Sequence, residues 1–237
     1  MHLNQQIHVA LQGVCVNLCK KASSKCAQDT KLLDVGCWNG RTTLQYGEAL
    51  NSSSQQLYGL EYFDPQIAEA RAKGIIVQKA DLEKDEFPFQ NEMFDIVACN
   101  QVLEHLKQIF HPMDEIWRVL KPDGYLILSV PNLASFHNRI MMLLGMQPTS
   151  IRIFGPHVRG FTYRAFVTFA TQHQNFRLIQ SIGVGFYPFP PKFLGNWIGN
   201  IWKSACHTPV LLLQKPNMHS FVPWSHGTQE FQSQTIL

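Results

Sequence analysis

The stretch Lys31–Thr43, KLLDVGCWNGRTT, constrains this chain more than any other. An apolar run (Leu32, Leu33, Val35) carries one acid, Asp34, and breaks into a loop holding Gly36 and Gly40, after which the residues become helix-compatible. This reads as a buried strand, a tight turn and a helix N-terminus, the ligand-binding corner of an open α/β sheet. An ordinary strand-to-helix turn has the same outline, so the reading depends on the rest of the chain.

The residues beyond Thr43 repeat the rhythm. Strands are expected at Lys31–Gly36, Gln56–Glu61, Gly74–Lys79, Phe94–Asn100 and Gly124–Pro131, separated by helices at about Arg41–Asn51, Pro65–Lys73 and Phe110–Leu120. Lys121-Pro122-Asp123-Gly124 stops the last helix with turn chemistry. The strands are unbroken apolar runs, as in a sheet covered on both faces, which predicts an α/β fold with a parallel, doubly wound, Rossmann-like sheet. After Asn132 come a Met-rich helical run, Leu133–Met146, a loop, Gln147–Gly160, a helix near Thr162–His173, and two late strands near Phe176–Phe186 and Val210–Gln214. Residues 1–30 are expected to form one or two helices capping the sheet or the ligand, residues 31–217 the main domain, and residues 218–237 a loose tail.

The 237 residues suit one generous α/β domain. A balance of 20 basic to 17 acidic residues offers no polyanion-binding stripe, so nucleic acid is not expected as a partner. A membrane span would need a stretch of roughly 20 apolar residues, which is missing. The start, MHLNQQIHVALQ, lacks the basic residues and long apolar core of a signal peptide. The six cysteines show no C-x-x-C pairing and read as reduced thiols of a cytoplasmic protein.

Glu61 ends the second strand, 27 residues past Asp34, where a carboxylate can accept both hydroxyls of a ribose. Asp81 comes after the third strand in the same topological position, with Leu82 beside it to pack on a base. Three acids at the carboxyl ends of three successive strands describe a nucleoside-binding crevice. The segments LLDVGCWNG, YGLEYFD, KADLEK, FDIVACNQVLEHL and RVLKPDGYLILSVPN occur in this order over Lys31–Asn132. With them the chain resembles the class I S-adenosylmethionine-dependent methyltransferases, in the branch acting on small molecules and lipids. The resemblance implies a seven-stranded sheet whose last strand runs antiparallel, and S-adenosyl-L-methionine as cofactor. It implies Asp34, Gly36, Cys37 and Gly40 along the methionine part, Glu61 on the ribose, Asp81 and Leu82 on the adenine, and Asn100 beside the methionine moiety. One departure is Trp38, where the family carries a glycine; its side chain has to point away from the cofactor.

The physical reason for the pattern is a ligand with an ammonium, a carboxylate and a sulfonium but no phosphate. Asp34 offers charge for the ammonium, the helix start near Arg41 presents backbone N–H groups to the carboxylate, and Gly36 lets the backbone come close. A pyrophosphate cradle would read G-x-G-x-x-G; the spacing here is G-x-x-x-G, which disfavours NAD and an oxidoreductase. A cofactor-binding protein without turnover stays open as a second alternative. Methyl transfer, expected to an oxygen of a small metabolite, glycan or lipid, needs alignment and a base. His105, after the fourth strand, and His157 are the catalytic candidates.

Glu104-His105 is also similar to the E-x-x-E-H motif of metal-assisted ubiquinone-pathway O-methyltransferases, but Gln101 replaces the first carboxylate, so no metal is expected. The small-molecule or lipid-like acceptor is expected under residues 133–165, with His137, Asn138, Arg159 and Tyr163 among the polar members. Residues 187–205 read as an apolar lid or interface helix. In Pro191–Ser204, Phe193, Leu194, Trp197, Ile198, Ile201 and Trp202 recur at helical spacing between Lys192 and Lys203. Such a face packs on its own domain or a second subunit, or makes peripheral contact with a membrane.

Overall fold

The computed structural model describes residues 3–26, 29–50, 56–217 and 220–225. Seven strands, β1 (Leu32–Val35), β2 (Leu57–Glu61), β3 (Ile76–Lys79), β4 (Phe94–Asn100), β5 (Leu120–Ser129), β6 (Arg177–Val184) and β7 (Thr208–Gln214), form one sheet in the order β3-β2-β1-β4-β5-β7-β6. The pairings from β3 to β5 are parallel, and β7 runs antiparallel to both β5 and β6. The sheet is therefore the expected doubly wound one, with its last strand reversed.

Because β1, β2, β4, β5 and β7 are apolar on both sides of the pleat, each feeds two cores. Leu33, Val35, Val97, Cys99 and Leu126 pack with α4 (Phe110–Val119) and α6 (Tyr163–Ala170). Leu32, Ile96, Ala98 and Ile127 pack with α1 (Leu3–Ser23), α2 (Arg41–Leu50) and α3 (Asp64–Ala72). Helix α1 buries Leu11, Cys15, Leu18 and Cys19, an i, i+4 stripe that fixes it on the sheet as a single capping helix. The six cysteines are all free thiols. Among the described residues no helix is long and apolar enough to cross a membrane.

The second half departs from expectation in three places. Helix α5 spans only Phe136–Leu143; the chain leaves it at Gly145, whose φ of +72° glycine adopts without strain. The apolar face expected over Pro191–Ser204 is broken into a π-turn at Pro191–Gly195, a short helix α7 (Asn196–Ile201) and a 3₁₀ turn at Lys203–Ala205. Helix α7 lies on β6 through glycine: a Cβ at Gly183 would stand 1.9 Å from the Gly199 carbonyl oxygen. Within the expected loose tail, residues 220–225 instead close over the α4/α6 side. Trp224 is fully buried, its indole N–H donates to Phe169 O at 2.8 Å, and Phe221 stacks on Trp117 at 4.5 Å. Composition hid this, because two aromatics in a polar stretch give no period. Residues 218–219 and 226–237 lie outside the described residues.

Candidate active site

The strand order reverses between β1 and β4, and at that switch point the carboxyl ends of the strands open into a crevice of about 680 Å³. Asp34, Gly36, Cys37, Glu61, Asp81, Leu82 and Asn100 all line it. Gly40 does not. Its φ is +76°, and a Cβ there would lie 2.5 Å from Ile75 Cδ1 and 3.0 Å from Ala70 Cβ, so glycine at this position serves the approach of α3 behind the loop.

Asp34 is buried at the end of β1, and its Oδ2 accepts the Thr43 hydroxyl at 2.6 Å. Burial pushes its carboxyl up to about 7; the Thr43 hydrogen bond pulls the other way, and the Glu61 charge adds to the rise. A cation entering the crevice would meet an acid held ready to ionise. Gly36 has a φ of +72°, and a Cβ on it would sit 2.7 Å from Val102 Cγ2, so the loop hugs the chain leaving β4. Glu61 accepts the backbone N–H groups of Trp38, Tyr62 and Phe63. Trp38 stands on the crevice rim, 54% exposed and edge-on to Phe63 at 6.1 Å. At the start of α2 the Arg41 N–H is taken by Asn39 Oδ1 at 3.3 Å, so it is not one of the free donors expected there.

On the adenine side of the expected layout, Asp81 Oδ1 accepts the Glu83 N–H at 3.0 Å, which holds its carboxyl below the usual range. Asn100 accepts from the Ser129 hydroxyl, which itself accepts from Gln101 Nε2 at 3.2 Å. This relay fixes Asn100 and Gln101, where the chain leaves β4.

A second cavity, about 830 Å³, adjoins the first; Gln101, His105 and Pro156 line both. Its wall includes α5 residues, the start of α1 (Asn4, His8), His157 and His207. His105 and His157 meet edge to face at 4.8 Å. Their Nδ1 atoms contact the Pro156 and Ser150 carbonyl oxygens at 3.3 and 2.8 Å. A carbonyl only accepts, so each Nδ1 carries a hydrogen. Burial lowers the His105 pKa, so the ring is neutral near pH 7.

Beside them lies Glu104, which is 1% exposed with neither carboxylate oxygen hydrogen-bonded. Burial pushes it up to about 8, so it is protonated at neutral pH. Its main-chain oxygen accepts from Val158 and Arg159 and pins the loop carrying His157. Among the described residues, Glu104, His105 and His157 bring ligand atoms within 4.8 Å of one another, a spacing one metal ion can bridge. Sequence reasoning weighed Glu104 only within a metal-site motif and did not place His207 in the site. The acid next to His105 at the active end of the sheet was the signal for the former; His207 comes just before β7, and only the fold brings it to His137, 5.6 Å away.

A sheet of this order with a glycine-turn crevice and acids on successive strand ends defines a class I, Rossmann-like methyltransferase fold. Residues 33–128 match the methyltransferase-domain family, and this match, with the relatives below, supports a class I S-adenosylmethionine-dependent methyltransferase. The cofactor of that family is S-adenosyl-L-methionine. A probable S-adenosylmethionine-dependent methyltransferase of Mycolicibacterium smegmatis is 30% identical over 118 residues, covering 49% of this chain and 44% of that protein. The 27-O-demethylrifamycin SV methyltransferase of Amycolatopsis mediterranei is 26% identical over 106 residues, covering 41% and 37%. The chain thus spans under half the length of the curated relatives it matches. A crystal structure from Thermotoga maritima, described as a SAM-dependent methyltransferase and possible histamine N-methyltransferase, superposes with a TM-score of 0.59 at 17% identity over 86% of this chain and 91% of that one. This last likeness concerns the fold.

Proposed function

We propose that this protein transfers the methyl group of S-adenosyl-L-methionine to an oxygen of a small metabolite, glycan or lipid held in the second cavity. The observation that carries the reading is the junction of crevice and cavity at Gln101, His105 and Pro156. The crevice fits the cofactor in size and donor set: its volume is in the range of small-ligand sites, and its acids stand where an ammonium, a ribose and an adenine amino group need acceptors. Asp34 would take the ammonium, Glu61 the ribose, Asp81 and Leu82 the adenine, and Gly36, Cys37 and Asn100 would flank the methionine part. When bound, the cofactor supplies a methyl carbon made electrophilic by a positive sulfur.

The chain's own part is alignment and proton removal. His105, neutral and with its Nε2 bare, accepts the proton of the acceptor hydroxyl as that oxygen attacks. His157 offers a second Nε2 to orient the hydroxyl, and protonated Glu104 supplies a donor. The test is turnover on a panel of phenols, sugars and lipid alcohols with radiolabelled methyl donor. His105→Asn is expected to lower kcat by roughly 10²–10⁴-fold while leaving cofactor affinity unchanged. Undiminished turnover in that variant would remove the assignment. The convergence of Glu104, His105 and His157 favours one second reading, a divalent cation polarising the acceptor hydroxyl. Loss of turnover on chelation, restored by magnesium, would select it.

A further inference from the structure

The chain is divided by charge. Sixteen of its 17 acids lie in residues 1–123 and the last is Glu230, so residues 124–229 contain none, yet they hold eight of the 20 lysines and arginines. The same half carries most of the exposed large apolar side chains. At the end of α5 and in the loop after it, Leu143 is 86% exposed, Ile153 82% and Phe154 fully exposed, with Met142, Leu144 and Met146 also open. On α7, Trp197 and Ile201 are open.

These two strips are neighbours. Arg139 of α5 donates to Ser204 O at 2.7 Å and stacks its guanidinium 5.7 Å from the Trp202 ring, and Phe136 lies 6.0 Å from the same ring. The first strip adjoins the second cavity, which Ile140, Met141 and Arg152 line together with Tyr187 and Pro188 from the segment before α7.

We propose that this face docks on an anionic lipid surface, with the second cavity facing the bilayer beside α5. Charge complementarity selects that occupant. Tryptophan and aliphatic side chains beside Arg139, Arg152 and Lys203, in a stretch of sequence with no carboxylate before Glu230, suit an anionic interface. A second copy of the chain would bring the same acid-free face against itself in a two-fold contact, basic against basic. Scattered surface leucines are ordinary, but a contiguous patch marks an interaction site. The consequence for the acceptor rests on the methyltransferase reading: an amphiphile would leave its apolar part between the strips while its hydroxyl reaches His105. The docking itself does not rest on that reading.

The test is co-sedimentation of the full chain with vesicles of phosphatidylcholine alone or mixed with phosphatidylglycerol, at low and high salt. Two paired variants, L143Q with F154Q and W197Q with I201Q, replace exposed side chains only. Retained binding of S-adenosylhomocysteine shows that each is folded and keeps failure of the cofactor site distinct from failure of docking. The expected result is salt-sensitive binding to the anionic vesicles, reduced about tenfold by either pair. No vesicle binding, or variants that bind as well as the parent, would overturn the proposal. So would a dimer in sedimentation velocity that either pair dissociates, because the occupant would then be a second copy.

Discussion

The backbone N–H of Trp38 donates to Glu61 Oε2 at 2.9 Å, which ties the loop after β1 to the end of β2. Trp38 has a φ of +50°, a conformation that costs a bulky residue about 1–2 kcal/mol. Glu61 Oε1 accepts from Tyr62 and Phe63 at 2.8 and 3.1 Å. A carboxylate offers about four acceptor positions, so Glu61 shapes the loop and keeps one position open. This is how the loop tolerates tryptophan where the family has glycine.

Glu61→Gln puts an amide NH₂ against one of these backbone donors. S-adenosylhomocysteine affinity is expected to fall about 10–100-fold, or 1–3 kcal/mol, read by calorimetry. Equal affinity in variant and parent would show that Glu61 neither shapes nor contacts the site.

Asp34→Asn separates stability from binding. Burial raises the Asp34 pKa to about 7 from an ordinary 3.8, so the folded state holds a proton that the unfolded state releases between those values. The resulting contribution is present below pH 4 and is lost as pH rises through 7. The asparagine variant should therefore melt above the parent at pH 8, with the gap closing toward pH 4, while binding cofactor at least about tenfold more weakly. A parent that melts higher at pH 8 would contradict the buried-acid account.

Gly40→Ala tests whether that glycine serves packing. Positive φ and the contact with Ile75 should together cost about 2–4 kcal/mol, seen as a lower denaturant midpoint with an unchanged slope. A change under about 0.5 kcal/mol would mean the loop and α3 yield easily.

Trp224→Ala should destabilise the fold by about 3–5 kcal/mol, because it empties a fully buried site and leaves the Phe169 carbonyl without its donor. Trp224→Phe should recover part of this. A neutral alanine variant would return residues 220–225 to the loose tail that their composition suggests.

Strands β1 to β5 were legible because local pattern and burial agree: apolar runs such as Leu57–Glu61 end in acids, and turns carry glycine or proline. The crevice was legible for the same reason, since topology alone brings Asp34 and Glu61, 27 residues apart in sequence, to one rim. The packing role of Gly40 was not legible, because a glycine needed for packing and one needed for a ligand look identical in a string. Glu104 was legible only as part of a motif, because nothing local marks a buried acid as lacking a partner. His207 and Trp224 reach their places through contacts with His137, 70 residues away, and with Phe169, 55 residues away, beyond any local period.

The most direct test is calorimetric titration of the parent and the Asp34→Asn variant with S-adenosylmethionine and, separately, with NAD. The account predicts one site for S-adenosylmethionine in the parent, a loss of about tenfold or more in the variant, and no heat with NAD. Binding of NAD without S-adenosylmethionine, or equal S-adenosylmethionine affinity in both proteins, would contradict it.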